Sequence, residues 1–269
     1  MTDTTPPANR GTALVTGASS GIGAALARLL AASGFELVLV ARREDRLVEL
    51  RDDLAKRHGT RSTVLVSDLG QYTAPADLVA RLDSLSIRVS VLVNNAGFGL
   101  YGPFAATSWD SELQMLQVNI VALTALTKLL LPGMLARRDG RILNVASTAA
   151  FQPGPLMAVY YASKAYVLSF SEALANEVKG TGVTVTALCP GPTASEFQGT
   201  ARLEKSRLVR LVRLQTTEQV ARAGYEGLMK GKAVVIPGLV NWLGAQSPRV
   251  LPRSWVRFIV RRAQDPRRA

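Results

Sequence analysis

The middle of the sequence holds four polar side chains of the types that move protons and hold substrate oxygens: Asn119, Ser147, Tyr160 and Lys164. A free phenol has a pKa of about 10 and is a poor base at neutral pH. A nearby ammonium group favours the phenolate and brings that pKa towards the working range. A serine hydroxyl can hold a substrate oxygen through the transition state. The set therefore indicates acid–base chemistry at an oxygen atom of a substrate.

The spacing of the tyrosine and the lysine places them on one helix. Tyr160 and Lys164 are four residues apart in a predicted helix, so their side chains lie on the same face. Tyr161 stands three residues before Lys164 and is also within reach, so the spacing alone does not choose between the two tyrosines. A tyrosine and a lysine so spaced are more often ordinary surface than catalytic. The case for chemistry therefore depends on the elements that position them.

A glycine-rich segment near the N-terminus is typical of a phosphate-binding turn. It runs from Thr16 to Gly23 in the pattern G-x-x-x-G-x-G, after a predicted strand and before a predicted helix. Such a turn places backbone N–H groups and the positive helix end against a pyrophosphate, and a β-carbon would block the approach of the backbone. The segment predicts a nucleotide site formed by Gly17, Ser19, Ser20, Gly21, Ile22 and Gly23.

The end of the second predicted strand bears on which nucleotide is bound. Many NAD sites place an acidic residue there to hold the ribose 2′-hydroxyl. Here the strand is followed by Arg42 and Arg43, and the first carboxylate is Glu44. A guanidinium favours a 2′-phosphate through a charge-assisted hydrogen bond, so Arg42 predicts NADP(H) rather than NAD(H). The alternative is that both arginines are solvated residues ahead of a helix.

Short apolar runs rich in Val and Leu alternate with helix-length segments through most of the chain. Such runs are typical of strands buried on both faces of a parallel sheet. The alternation predicts an α/β fold, a doubly wound parallel sheet, in one domain covering residues 1–238. Predicted strands cover residues 12–16, 36–41, 62–67, 89–94, 141–146, 183–188 and 233–236, and predicted helices cover 21–32, 44–57, 75–84, 109–137, 159–179 and 217–230. Left-handed helix caps are predicted at Gly34, Gly59, Gly140 and Gly231.

The motifs taken together resemble the short-chain dehydrogenase/reductase family. Its order and approximate spacing are matched by Thr16–Gly23, Asn94–Gly97, Asn119, Ser147, Tyr160 with Lys164, and Pro190-Gly191. The resemblance covers about residues 10–238. It implies a Rossmann-type sheet of about seven strands and hydride transfer between a nicotinamide and a carbonyl/alcohol pair.

The resemblance also implies roles for single residues. It selects Tyr160 over Tyr161 as the general acid/base and as a cofactor contact, with Lys164 lowering the pKa of Tyr160 and binding the nicotinamide ribose. Ser147 would orient the substrate oxygen, and Asn119 would support a water-mediated proton relay. Thr193 and Ser195 stand where the family often has an aliphatic residue and then a threonine. The remaining cofactor contacts would be Asp68, Leu69, Asn95, Ala96, Gly97, Pro190 and Gly191.

The segments expected to border the nicotinamide are rich in apolar residues. Phe98, Phe151, Met157 and Phe197 are the predicted substrate contacts, and they favour an apolar carbonyl or alcohol. A substrate lid is expected over about residues 193–214, which include several basic residues and could equally receive an acidic carrier. The alternatives are therefore a ketoacyl-type reductase acting on carrier-bound substrate and, in a different class, a non-catalytic NADP-sensing module.

Nearly all of the net charge of +12 lies in the last quarter of the chain, where residues 199–269 hold 15 basic and 4 acidic residues. Residues 239–269 are predicted to form a basic, amphipathic, helical C-terminal extension. In the segment 249–262, Trp255, Phe258 and Ile259 share one helix face while arginines line another. Such a helix can lie on an anionic membrane or meet an acidic carrier. More often, an amphipathic helix of a globular protein packs on its own protein or a twin subunit, and that interpretation is favoured here.

Several classes of protein are not expected. One cysteine, Cys189, and one histidine, His58, argue against a disulfide and a metal site. The apolar stretch 119–135 contains Lys128 and Pro132, so a buried helix is expected there rather than a membrane span. No reader motif for nucleic acid is present. A cytoplasmic protein with possible peripheral membrane contact is expected, and dimers and tetramers are common in the resembled family, so a homo-oligomer is expected.

Overall fold

The computed structural model describes residues 10–194, 196 and 214–265, and its centre is a parallel sheet. The strands lie in the order β3-β2-β1-β4-β5-β6-β7, and every neighbouring pair is parallel. This is the predicted Rossmann-type topology of seven strands. The strands are β1 (Thr12–Thr16), β2 (Glu36–Ala41), β3 (Ser62–Val66), β4 (Val89–Asn94), β5 (Gly140–Val145), β6 (Val183–Leu188) and β7 (Val234–Val235).

Helices cover both faces of this sheet. One apolar cluster joins alternate residues of the strands to α1, α2 and α7, and a second joins the other set to α3, α5 and α6. The inner strands are therefore buried on both sides, which explains their near-continuous runs of Val and Leu. The helices are α1 (Gly21–Ala32), α2 (Glu44–His58), α3 (Ala74–Ser84), α4 (Trp109–Leu116), α5 (Leu123–Arg137), α6 (Ala158–Glu177) and α7 (Thr217–Met229).

Two further helices follow β7, namely α8 (Leu239–Gln246) and α9 (Arg253–Gln264). Helix α8 lies within the predicted helical extension, although its bounds were not predicted. Helix α9 corresponds to the predicted amphipathic segment and begins after Pro252. Its buried side chains Val256, Val260 and Gln264 are spaced four apart, so one face of α9 packs on the rest of the protein.

The predicted elements agree with the structure to within two residues at each end, with two differences. Gly140 is the first residue of β5 and does not cap a helix; the left-handed residue after α5 is Arg138. A β-carbon on Gly140 would lie 2.6 Å from Cβ of Met134, so glycine is needed there for close packing. The predicted single helix 109–137 is divided by a π-helical turn, Gln117–Ala122.

The helical run Trp109–Arg137 is unusually long and apolar. Among the described residues it is the one helix long and apolar enough to cross a membrane by length and composition, and 33% of its most apolar window is buried. In the fold, Leu126 and Met134 of α5 are fully buried against the sheet, whereas Leu129 is exposed. The expectation of a buried helix therefore holds for one face only.

The carboxyl ends of parallel strands meet at one edge of the sheet. The order of the strands reverses between β1 and β4, because β2 lies on one side of β1 and β4 lies on the other. Open α/β sheets bind ligands in the crevice at such a switch point. The glycine-rich turn, which follows β1, therefore lies beside the residues that follow β4.

Candidate active site

A cavity of about 870 Å³ lies at this carboxyl edge. It extends from the glycine-rich turn and the end of β2 to the first turn of α6 and the two C-terminal helices. The cavity brings together most of the residues predicted for the cofactor, and those on its wall are Gly17, Ser19, Ser20, Gly21, Ile22, Arg42, Asp68, Leu69, Asn95, Ala96, Gly97, Tyr160, Lys164, Pro190, Gly191 and Thr193.

The turn after β1 requires glycine for two reasons: a backbone conformation in the left-handed region and the lack of room for a β-carbon. Gly17 has a φ of 64°, in the left-handed region, and a β-carbon on it would lie 2.7 Å from Nδ2 of Asn95. Gly23 is not on the cavity wall, but its β-carbon would lie 2.3 Å from the carbonyl oxygen of Gly17. The first turn of α1 thus packs directly on the loop, which leaves the backbone at the start of the helix facing the cavity.

The loop is tied to the end of β4 by the side chains of Thr16 and Asn95. Nδ2 of Asn95 donates to the carbonyl oxygens of Thr16 (2.9 Å) and Gly17 (3.2 Å). Oγ1 of Thr16 accepts from the backbone nitrogens of Asn95 and Ala96, each at 3.0 Å. The predicted cofactor residue Asn95 therefore fixes the shape of the glycine-rich turn as well as lining the cavity.

Two arginines stand at the cavity edge beyond β2. Arg42 is exposed on the cavity wall and makes no hydrogen bond or ion pair with any other described residue. Nη2 of Arg43 contacts Oε2 of Glu196 at 2.8 Å and Oγ of Ser19 at 3.3 Å. Arg43 and Glu196 were not predicted as site residues. Nearby, Oδ1 of Asp68 accepts from the backbone nitrogen of Gly70 at 3.0 Å and shapes the turn after β3.

Tyr160 is buried in the first turns of α6, with one side on the cavity. Burial raises the pKa of its phenol to about 12, because the phenolate would lose its hydration, and a hydrogen bond with Ser147 opposes this shift. Ser147 itself is not on the cavity wall. Its Oγ accepts from the backbone nitrogen of Ala149 at 3.1 Å and lies 3.4 Å from the carbonyl oxygen of Pro190.

Lys164 lies one turn after Tyr160, and both side chains reach the cavity. Nζ of Lys164 donates to the carbonyl oxygen of Val145 at 2.8 Å and lies 5.9 Å from the centre of the Tyr160 ring. Burial lowers the pKa of Lys164 to about 8. Burial is the largest cause of the raised pKa of Tyr160, and the described hydrogen-bond partner of the Lys164 ammonium is the carbonyl oxygen of Val145. That Lys164 lowers the pKa of Tyr160 stays a prediction.

Asn119 lies behind the cavity wall, in the π-helical turn. Its Oδ1 accepts from the backbone nitrogen of Phe98 at 3.1 Å, and its Nδ2 donates to the carbonyl oxygen of Phe98 and to Oγ of Ser163. A β-carbon on Gly97 would lie 3.0 Å from Oδ1 of Asn119 and 3.4 Å from Nζ of Lys164. Asn119 therefore holds the strand-end segment against α6, and Gly97 leaves room for this approach.

The turn after β6 forms another part of the wall. Oγ1 of Thr193 donates to the carbonyl oxygen of Gly191 at 2.9 Å, and a β-carbon on Gly191 would lie 2.3 Å from Oδ1 of Asn241 in α8. The turn and α8 are thus packed closely together. The predicted contacts Ser195 and Phe197 lie outside the described residues, as does the predicted lid apart from Thr193, Ala194, Glu196 and Leu214.

The apolar residues predicted to contact the substrate are only in part brought together. Phe98 and Met157 are on the cavity wall. Phe151 is not: it packs with Val167 and Leu168 and lines a separate hollow of about 500 Å³. The 3₁₀ turn Thr148–Phe151 places Ala149 on the cavity and turns Phe151 away from it.

The C-terminal helices complete the wall near Tyr160, which sequence reasoning did not anticipate. Helix α9 contributes Ile259, Val260, Ala263 and Gln264 to the cavity, and α8 contributes Val240, Asn241 and Gly244. In the sequence, the feature that pointed to this part of the wall was the amphipathic pattern of α9. That pattern indicates that one face of α9 is buried, but it does not identify the residues that cover this face.

Tyr161, Gln264 and Tyr101 connect α9 to the body of the protein. Nε2 of Gln264 donates to the hydroxyl of Tyr161, and the hydroxyl of Tyr101 donates to the carbonyl oxygen of Gln264. Burial raises the pKa of Tyr161. Gln264 is fully buried, and its Oε1 has no hydrogen-bond partner among the described residues. Tyr161 therefore anchors the C-terminal helix, while its neighbour Tyr160 meets Ser147.

Comparison with known proteins places the chain in a family. Residues 11–206 match the family model described as short chain dehydrogenase. A very-long-chain 3-oxoacyl-CoA reductase of Anas platyrhynchos is 37% identical over 190 residues, covering 69% of this chain and 60% of the relative. A short-chain dehydrogenase from Sphingobium yanoikuyae in complex with NADPH has a TM-score of 0.80 and 33% identity, covering 89% of this chain and 93% of that one. A bulky-bulky ketone specific alcohol dehydrogenase from Comamonas testosteroni has a TM-score of 0.76 and 30% identity, covering 89% and 92%.

The chain therefore belongs to the short-chain dehydrogenase family, whose members are oxidoreductases acting on carbonyl and hydroxyl groups. This confirms the family and the fold predicted from the motifs. The chain spans about 60% of the length of the first curated relatives that it matches.

The bond between Tyr161 and Gln264 predicts a coupled effect on stability. Replacing Tyr161→Phe leaves a buried amide donor of Gln264 without an acceptor, which costs about 1–3 kcal/mol of unfolding free energy. Replacing Gln264→Leu as well removes the stranded donor, so the double variant should recover most of that loss. Urea unfolding followed by tryptophan fluorescence measures both. Losses that simply add in the double variant would contradict the described contact.

Proposed function

We propose that the protein is an NADP(H)-dependent oxidoreductase acting on apolar carbonyl/alcohol substrates, with Tyr160 as the general acid/base. The observation that carries the proposal is the single cavity wall on which the glycine-rich turn, Arg42, Tyr160 and Lys164 are found together. When bound, NADP(H) supplies or accepts the hydride. The residues of the chain position the reactants and move the proton.

The residues at one end of the cavity fit a phosphorylated dinucleotide. The turn after β1 leaves no room for side chains at Gly17 and Gly23, as expected where a pyrophosphate approaches the backbone. Arg42 offers a guanidinium at the end of β2, where a carboxylate would favour NAD(H). The NADPH complex of the similar Sphingobium enzyme supports the same cofactor. Lys164, at the other end, would bind the nicotinamide ribose.

The raised pKa of Tyr160 fits the role of a proton donor. With a pKa of about 12, the phenol keeps its proton at neutral pH and can donate it to a carbonyl oxygen as negative charge develops there. Ser147, hydrogen-bonded to the same phenol, would hold that oxygen. The ammonium of Lys164 stabilises the phenolate that remains after proton transfer, at a site where low dielectric strengthens the attraction. Asn119 holds the adjoining backbone and would support the relay that returns a proton.

The walls beside Tyr160 support an apolar substrate. Phe98, Met157, Ile259 and Val260 surround this part of the cavity. Apolar walls with a few polar groups favour lipophilic ligands. The similarity to a bulky-bulky ketone specific alcohol dehydrogenase supports a large ketone. Similarity to a very-long-chain 3-oxoacyl-CoA reductase supports a second candidate, reduction of a 3-oxoacyl group on a carrier.

Assembly and peripheral contacts belong to the same proposal. Exposed apolar side chains on the outer surface of α4 to α6 support a homo-oligomer, because a second copy would cover them; they include Trp109, Leu113, Val121, Leu129 and Tyr166. The basic region 239–269 supports a contact with an anionic membrane or an acidic carrier.

Replacing Tyr160→Phe tests the catalytic role. Loss of a general acid should lower kcat for reduction of a bulky aryl ketone by about 10²–10⁴-fold, without changing the NADPH affinity measured by fluorescence. Tyr166→Phe is the matched control, because it removes from the same helix a phenol hydroxyl that hydrogen-bonds to Thr124 at the surface, and it keeps the ring that stacks on Phe170. If the Tyr160 variant and the control turn over equally, or if the wild-type protein binds NADPH but reduces no ketone, the sensing module becomes the better description.

Replacing Lys164→Met should separate stability from activity. Below pH 8, Lys164 is charged in both the folded and the unfolded protein, so the full cost of burying the charge lowers the stability of the wild-type protein. At pH 7 the Lys164→Met variant should therefore have a free energy of unfolding up to about 3 kcal/mol higher. Between pH 8 and 10.5 the unfolded wild-type chain binds more protons, so its stability rises and the gain shrinks. Turnover should be lost throughout. A constant or negative difference across this pH range would contradict a charged, buried Lys164.

A further inference from the structure

The two C-terminal helices expose a group of large apolar side chains. We call this surface the C-terminal platform; it is formed by Leu239, Val240, Trp242, Leu243, Val250, Trp255, Phe258 and Ile259, all exposed. The opposite side of α9 holds Val256 and Val260, which pack against Tyr160 and Tyr161. The platform is therefore presented outward by helices that are fixed on the cavity wall. Exposed apolar patches of this kind mark sites of contact with a protein, a membrane or a ligand.

Positive charge accompanies the platform. Its helices and their connection carry five exposed arginines, Arg249, Arg253, Arg257, Arg261 and Arg262. The single acidic residue between positions 239 and 265 is Asp265, which contacts Arg261 at 2.8 Å. The surface therefore combines aromatic and aliphatic side chains with an excess of positive charge. An anionic bilayer offers the complementary pair of features, phosphate headgroups above an apolar interior.

The platform and the cavity share residues. Val240 is 76% exposed and Ile259 is 53% exposed, yet both also line the cavity that holds Tyr160 and Lys164. Gly244 of α8 lies on the same wall and is exposed as well. The cavity wall and the apolar surface thus meet at these residues, which is the arrangement expected where a lipophilic molecule passes from one to the other.

We propose that the C-terminal platform docks on an anionic phospholipid bilayer and that a lipophilic carbonyl substrate passes from the bilayer into the cavity. The inference rests on the proposed function for the chemistry of the substrate. A second copy of the chain is the poorer partner, because two platforms in contact would bring two rows of arginines together. An acidic carrier protein would pair with the arginines but would leave Trp242, Trp255 and Phe258 unexplained.

Sedimentation with vesicles tests the docking step on the full chain. The protein should bind vesicles of phosphatidylcholine with phosphatidylglycerol, bind phosphatidylcholine alone much more weakly, and dissociate as salt is raised. Arg253→Gln with Arg257→Gln should weaken binding by about 30-fold, and Trp255→Ser with Phe258→Ser by at least about 10-fold. Leu85→Ser with Arg88→Gln is the matched control, because these exposed residues precede β4 at the opposite edge of the sheet.

Turnover tests the passage of substrate. Anionic vesicles should lower the apparent KM of the wild-type protein for a ketone that partitions into bilayers, but not for a water-soluble ketone. The Trp255/Phe258 variant should keep its rate on the water-soluble ketone and lose the effect of vesicles. Because sedimentation needs no turnover, a protein that binds vesicles but reduces no ketone would refute the proposed function and leave docking intact.

Three results would overturn the inference. The first is equal vesicle binding by the platform variants and the control pair. The second is no vesicle binding at low salt. The third is a protein that does not respond to vesicles but binds an acidic acyl carrier protein, as detected by a shift in size. If Arg253→Gln with Arg257→Gln abolished that binding, the carrier would be identified as the partner.

Discussion

The candidate site is built around a positive charge that the fold removes from water. The ammonium group of Lys164 is buried between the end of β5 and α6, and its described hydrogen-bond partner is the carbonyl oxygen of Val145. Burying a charge with so little compensation costs free energy, which is why its pKa falls to about 8. Two neighbouring residues fit around the charge. Gly97 has no side chain and so leaves room for the ammonium group, and Tyr160 lies one helical turn before Lys164.

The same edge of the sheet gathers parts that are far apart in sequence. Parallel strands bring the turn after β1 beside Asn95 at the end of β4, and the turn after β6 beside α8. Helices α8 and α9 form the part of the cavity wall that the sheet and its loops do not provide. Their inner face contributes to the cavity near Tyr160 and their outer face carries the arginines. The proposed chemistry and the proposed partner therefore depend on one pair of helices.

The strands, the covering helices and most cofactor residues were predictable because they follow from local patterns: apolar runs, glycines at tight turns and residues at strand ends. What remained hidden depends on tertiary packing. The 3₁₀ turn that directs Phe151 away from the cavity has no periodic signal, and Gly140 is needed because Met134 packs on it. The raised pKa of Tyr160 follows from desolvation, which spacing cannot show. The link from Gln264 to Tyr161 joins residues 103 positions apart.

The most direct test of the account is a fluorescence titration with NADPH and NADH side by side, for the wild-type protein, Arg42→Ala and Arg51→Ala. Arg51 is the control, because it is a half-exposed arginine of α2 that pairs with Asp52. The account predicts that the wild-type protein and the control bind NADPH at least about 10-fold more tightly than NADH. Arg42→Ala should lose that preference by weakening NADPH alone. Equal or tighter binding of NADH by the wild-type protein, or binding of neither nucleotide, would contradict it.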